Sequence, residues 1–148
     1  RMNHGFPLHK QHQGEKTSLV ATSCNIDKAD YKKYYGKAKP MWVTTKREKV
    51  PEWIAKNSDT LYYPISCWDS LHKKLGNHRP STGAMIINLF CEHLSVTQLG
   101  IVGFDFKKSK TYYLENDHKG PHHWENEEIY TTNLVSEAVK NQLNWSIK

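Results

Sequence analysis

The sequence predicts an α/β layered fold with a largely parallel sheet. Three observations carry that prediction. Short β-branched or aromatic runs of strand length recur, among them "TSLVATS" and "QLGIVGFDF". Between them lie stretches whose apolar residues repeat at helical spacing. The two kinds alternate along the chain, the pattern of strand–helix–strand units whose helices cover a parallel sheet. A length of 148 residues suits one domain with a single sizeable core. No internal repeat, low-complexity tract or linker divides the chain.

Taken in order, the first strand falls in residues 17–23, after the polar loop "HKQHQGEK". Residues 28–39 are rich in Lys and Tyr and predict an exposed helix or loop. "MWVTT", 41–45, is β-branched and aromatic and predicts a second strand. Val50-Pro51-Glu52 opens a short helix, because the fixed φ of proline suits a first turn. "TLYYPI" predicts a third strand, ended by Pro64. "SCWDSLHKKLG" fits a short helix with Ser66 as N-cap and Gly76 as its stop. In "RPSTGAMIINLFCEHL", 79–94, Met85, Ile86, Leu89, Phe90 and His93 fall near helical spacing, which predicts a strongly apolar helix. "QLGIVGFDF", 98–106, reads as a buried strand. A helix over 124–143 follows a loop, with Ile129, Leu134, Val135, Ala138, Val139 and Leu143 on one face, and "NWSIK" closes the chain as a strand.

The charge balance narrows the function classes. Lys plus Arg is 21 and Asp plus Glu is 15, a formal charge of +6. Such a surplus serves nucleic acid, anionic membrane, phosphorylated small molecules or plain solubility. The basic residues come in short separate groups such as "KREK" and "KKSK", and no RNA-recognition, helix-turn-helix or zinc-finger pattern accompanies them. Nucleic acid is therefore not the expected partner. The longest apolar run, "AMIINLF", is far short of the roughly 20 residues of a membrane-spanning helix. Cys24, Cys67 and Cys91 form no CxxC pair and no disulfide framework, so buried free thiols are expected.

Three stretches carry residue types suited to chemistry. "PSTG", 80–83, stands just before the apolar helix, where Ser81 or Thr82 can cap and Gly83 leaves room at the backbone. A helix start with free N–H groups and small hydroxyls suits a phosphate or a carboxylate, and equally an ordinary cap. "GIVGFDF" ends a strand with Gly103 and Asp105, and ligands of α/β sheets gather at the carboxyl ends of strands. Asp105 is a ligand there or a turn residue. "HHWENEE", 122–128, joins two histidines to three glutamates. An imidazole titrates near neutrality and can take a proton from an alcohol, and acidic residues sit well in a first helical turn. A polar helix start on the surface is the plain alternative. Zinc is disfavoured, because adjacent histidines point apart and no third ligand is spaced for it.

Together, in this order, the stretches resemble the C-terminal part of the sialyltransferase family that shares the sialylmotifs. "RMNHGFP", 1–7, looks like the end of the large motif, and "GEKTS", 14–18, is similar to the Gly-x-Lys/Arg-Thr that follows it. "RPSTGAMIINLF…LGIVGFDF" looks like the small motif, and "HHWENE" is similar to the last motif, a His and a Glu separated by four residues. The resemblance implies a single catalytic domain of three-layer α/β/α, GT-A-like (Rossmann-like) type, with the first half of the large motif upstream of Arg1. The family's disulfide between the large and small motifs is then not expected in this chain.

The resemblance also implies an activity: inverting transfer of sialic acid from CMP-sialic acid to a hydroxyl of a glycan or glycolipid acceptor. It implies a CMP-sugar donor with no metal and no other cofactor. Asn3, Ser81, Thr82, Gly83 and Gly103 would bind the donor, and His122 would be the general base, with Glu127 steadying its charged form. His123 pairs with Glu128 at the same spacing. His122 is preferred because the "HWENE" behind it matches the family's aromatic-acid run. His118, Tyr112, Tyr113 or His123 would donate to the leaving phosphate. Two rival readings remain: a transferase using another CMP-sugar such as CMP-Kdo, and a non-catalytic basic α/β module binding anionic glycan or nucleic acid.

Overall fold

The computed structural model describes residues 1–109 and 120–148, which form a mixed α/β chain with two small parallel sheets. The described residues fall into two compact units, Arg1–Ile65 and Ser66–Lys148.

In the first unit, α1 (Lys10–Gln13) precedes β1 (Leu19–Thr22), α2 (Lys28–Tyr35), β2 (Lys39–Trp42), α3 (Glu52–Ala55) and β3 (Leu61–Tyr62), with a 3₁₀ turn at Arg47–Lys49 before α3. The three strands lie in the order β1-β2-β3 and all pair in parallel, Leu19 opposite Lys39 and Met41 opposite Leu61. Parallel neighbours need a crossover, which α2 and α3 supply. Val20, Ala21 and Thr22, like Pro40, Met41 and Trp42, are buried in succession, so both faces of these strands are covered. Pro40 is tolerated in the middle strand because it sits near the strand's start, before pairing with β3 begins.

Asp27 caps α2 by accepting a bond from the Ala29 N–H at 2.7 Å. The helix is not exposed throughout, as its lysines suggest. Tyr31 and Tyr35, one turn apart, are buried with Val20, Ile26 and Ala38. Their hydroxyls donate to the carbonyls of Ala38 and Asn3, each at 3.0 Å, which makes tyrosine acceptable in a core.

The second unit contains α4, which starts at the unit boundary (Ile65–Lys74), α5 (Thr82–Asn88), β4 (Gln98–Ile101), α6 (Trp124–Lys140) and β5 (Asn144–Ile147). β4 and β5 pair in parallel from Gln98 opposite Asn144 to Ile101 opposite Ile147. Ile87, Ile101, Val135, Ala138 and Trp145 form the core of this unit. Among the described residues no helix is long and apolar enough to cross a membrane.

The differences from the sequence reading have local causes. Helix α4 begins at Ile65, so Ser66 lies inside the first turn and does not cap it. The apolar helix widens after Asn88 into a π turn, Leu89–His93, closed by the Leu94 N–H on the Leu89 carbonyl at 3.0 Å. Strand β4 stops at Ile101 and only that residue of it is buried. Beyond it Gly103, Phe106 and Lys107 have φ of 70°, 55° and 61°, which no strand can contain. Asp105 holds this turn, accepting from the N–H of Lys107 at 3.1 Å and of Ser109 at 2.8 Å and from the Ser109 hydroxyl. Those bonds, the Ser109 hydroxyl first, hold its carboxyl below the ordinary range. Helix α6 ends at Lys140, three residues short of expectation, where Gln142 takes a φ of 62°. All three cysteines are free and half-buried.

Candidate functional site

The start of α6 brings the histidine pair together with the start of α5. A Gly120-Pro121 break, with Gly120 at φ 68°, delivers the chain to His122. His123 caps α6, its Nδ1 accepting the Asn126 N–H at 3.3 Å, and its ring stacks on His78 at 4.4 Å. The Asn126 side chain in turn donates to the Leu75 carbonyl at 3.1 Å, tying the first turn of α6 to the end of α4.

His122 lies just outside the helix, half-buried, edge-on to Trp124. Its Nδ1 is 2.9 Å from the Arg79 carbonyl oxygen. A carbonyl only accepts, so Nδ1 carries the hydrogen and Nε2 holds the lone pair of the neutral ring. Burial lowers the His122 pKa, the carbonyl bond opposes that, and the Arg79 charge adds to it. The neutral, proton-accepting form is thus favoured at neutral pH.

Glu127 does not pair with His122, as the resemblance implies. It is 1% exposed and both its oxygens go to Ser81, one to the backbone N–H at 2.8 Å and one to the hydroxyl at 2.6 Å. Burial raises its pKa and the two Ser81 bonds oppose that rise. The Ser81 hydroxyl also accepts the Ala84 N–H at 3.1 Å, so of the two residues the sequence offers, Ser81 and Thr82, Ser81 is the N-cap of α5. The place at the helix start that suits an anion is therefore taken by a carboxylate of the chain itself.

Ser81, Thr82 and Gly83 are all buried, so they present no open cradle. What approaches Gly83 is the Phe104 ring: a Cβ built there would lie 2.2 Å from its Cε2 and 2.4 Å from its Cζ. Phe104 is steadied by Phe106, edge-to-face at 4.7 Å, and packs on the core of this unit. Gly83→Ala should therefore cost about 1–3 kcal/mol, either as overpacking or as lost Phe104 burial. Phe104→Leu should remove most of that cost. Denaturant unfolding of the two single variants and the double variant measures the coupling, and additive effects would show that the ring does not set the glycine.

Gly103 is exposed beyond β4, its N–H on the Lys148 carbonyl at 3.1 Å. Asn3 belongs to the first unit. It has a φ of 47°, takes the Ala21 carbonyl with its N–H at 2.8 Å, and accepts the Ser23 N–H on its side-chain oxygen at 3.0 Å. It thus holds the carboxyl end of β1. Of the residues read as site candidates, Ser81 and Glu127 are joined directly and His122 is anchored two residues upstream of Ser81; Asn3 stands in the other unit. His118, Tyr112 and Tyr113 lie outside the described residues. Among the described residues no group of three or more His, Cys, Asp or Glu side chains is placed to hold a metal ion.

Sequence reasoning missed Arg79, whose carbonyl orients His122, and Phe104, which explains Gly83. Both lie within "RPSTGAMIINLF…LGIVGFDF", but one acts through its backbone and the other through its packing, and neither residue type signals that role.

Protein-family models, curated proteins and solved structures give no match to the chain.

Proposed function

We propose that the chain is the C-terminal part of a glycosyltransferase that moves sialic acid from CMP-sialic acid to a glycan or glycolipid hydroxyl, with His122 as general base. The observation that carries this reading is the tautomer of His122. An imidazole held by Nδ1–H on a carbonyl, with a depressed pKa and a free Nε2 lone pair, is what deprotonation of an alcohol at neutral pH requires. The base acts as the acceptor oxygen attacks the anomeric carbon and the CMP phosphate leaves, with inversion at that carbon.

In this proposal Glu127 is a positioning residue. Its bonds to Ser81 pin the segment bearing His122 against the start of α5. Within the second unit the exposed Gly103 keeps the donor-binding role that the resemblance implies, while the buried Thr82 and Gly83, and Ser81, committed to Glu127, act by shaping the start of α5; Asn3 is left with its part in holding the end of β1 in the first unit. The three-layer GT-A-like fold and a metal-independent reaction belong to the same proposal.

Calorimetric titration of CMP tests it, using a chain that also carries the upstream half of the large motif. Saturable CMP binding is expected, and sialic acid transfer with CMP-sialic acid should follow. No heat with CMP, together with no transfer from either CMP-sialic acid or CMP-Kdo, would overturn the assignment.

A further inference from the structure

A groove of about 710 Å³ runs along the lysine-bearing side of α2 in the first unit. Lys28 and Lys32 of α2 line it, with Lys37, Lys39 and Lys56, and all five are exposed. Two carboxylates share it: Glu52 pairs with Lys56 at 2.5 Å and Asp59 faces Lys39 at 3.8 Å. Lys28, Lys32 and Lys37 have no ion pair among the described residues.

Two of these choices are locally unfavourable. Lys28 in the first turn of α2 opposes the helix dipole. Lys28 and Lys32 are like charges one turn apart on the same helix. A bound anion relieves both, and local rules are broken in this way at functional sites.

The lining also selects the kind of anion. No arginine lines the groove. Arginine's planar fork suits carboxylates and phosphates alike, while ammonium groups act as point charges; three of them without an ion pair suit a compact, multiply charged oxyanion. The tilted Tyr31–Trp53 ring pair, centroids 4.8 Å apart, also lines it. The polar atoms of both rings are already spent on the carbonyls of Ala38 and Ile26. Trp53, half-buried over the buried Tyr31, therefore offers carbon surface and not a hydrogen bond. A groove of this volume suits one small ligand.

We infer that this groove binds a small ligand carrying two or more tetrahedral oxyanions, phosphate or sulfate esters. The inference is independent of the reaction proposed for the second unit.

Tripolyphosphate and a heparin-derived tetrasaccharide, titrated separately by calorimetry at low salt, serve as probes of the two sources. The expected result is saturable binding of at least one probe, weakened by added salt. The triple variant Lys28→Gln/Lys32→Gln/Lys37→Gln should lose roughly tenfold or more in affinity, and the control Lys46→Gln/Lys49→Gln/Lys73→Gln should lose little. Preference for tripolyphosphate assigns a phosphate ligand, and preference for the tetrasaccharide assigns a sulfated one. Absence of binding with both probes, or equal weakening in the two triple variants, overturns the site.

Discussion

Under the proposed reaction, replacing His122 by alanine should lower the transfer rate roughly 10²–10⁴-fold and leave CMP binding nearly intact, the span that removal of a general base typically costs. In that proposal the base works at the acceptor hydroxyl and not at the nucleotide, so turnover should fall while donor affinity should not. His122→Asn is the sharper variant. Its side-chain N–H₂ can still reach the Arg79 carbonyl that now holds Nδ1, yet it has no basic nitrogen. It should be as inactive as alanine while keeping the local fold. The pH profile gives a further readout. Because burial lowers the His122 pKa, the acid limb of activity should lie below the ordinary imidazole value of about 6.5. Activity falls as pH drops through that lowered value, because the protonated ring cannot accept a second proton. His123→Ala should act differently: it removes a helix cap, costing stability of about 1 kcal/mol and little turnover. A dead His123→Ala beside an active His122→Ala would assign the base to His123 instead, and full activity in both would remove the histidine pair from the chemistry.

Much of the fold was legible because local chemistry sets it. The start of α6 at Trp124 follows from a Gly-Pro break and an acidic first turn, and the cap at Ser81 from a small hydroxyl before an apolar run. Strand character at Leu19–Thr22 follows from a short apolar run between polar residues, and at Asn144–Ile147 from the alternation of polar and apolar residues. What was not legible depends on backbone angles or on distant partners. β4 ends two residues before the left-handed Gly103, and the rest of the predicted strand is ruled out by left-handed φ at two non-glycine residues, Phe106 and Lys107, whose side chains announce nothing of the kind. The buried side of α2 was hidden because its lysines dominate the composition while two tyrosines do the packing. At the candidate site the residue types were readable and their partners were not. Ser81 and Glu127 are 46 positions apart, and His122 and Arg79 are 43. The spacing within "HHWENEE" suggests that a glutamate serves a histidine, but the helix turns Glu127 into the unit's interior and leaves His122 outside it.

That contact makes Glu127→Ala the most destabilising single change expected at the site. The variant leaves the N–H and the hydroxyl of Ser81, itself 5% exposed, without their carboxylate acceptor. A buried polar group deprived of its partner costs about 1–3 kcal/mol, and two such groups plus the vacated side-chain volume bring the loss to about 3–5 kcal/mol. That is a large share of the roughly 5–15 kcal/mol that holds a domain folded. Glu127→Gln keeps the shape, with an oxygen for the Ser81 N–H and an N–H₂ able to donate to the Ser81 hydroxyl, and should cost far less. A pH series separates the natural protein from the Glu127→Gln variant. Burial raises the Glu127 pKa in the folded chain, so the native state holds this proton to higher pH than the unfolded state does. The contribution of Glu127 is therefore fully present below the ordinary carboxyl range and is lost as pH rises from that range through the raised native value. Glu127→Gln cannot ionise and lacks this decline. Its stability relative to the natural protein should improve as pH rises across that window, measured by denaturant unfolding at a series of pH values. A difference that stays flat would mean that Glu127 ionises alike in the folded and unfolded states. A difference of opposite slope would mean that the Ser81 bonds outweigh burial and that the carboxylate is the form the fold prefers.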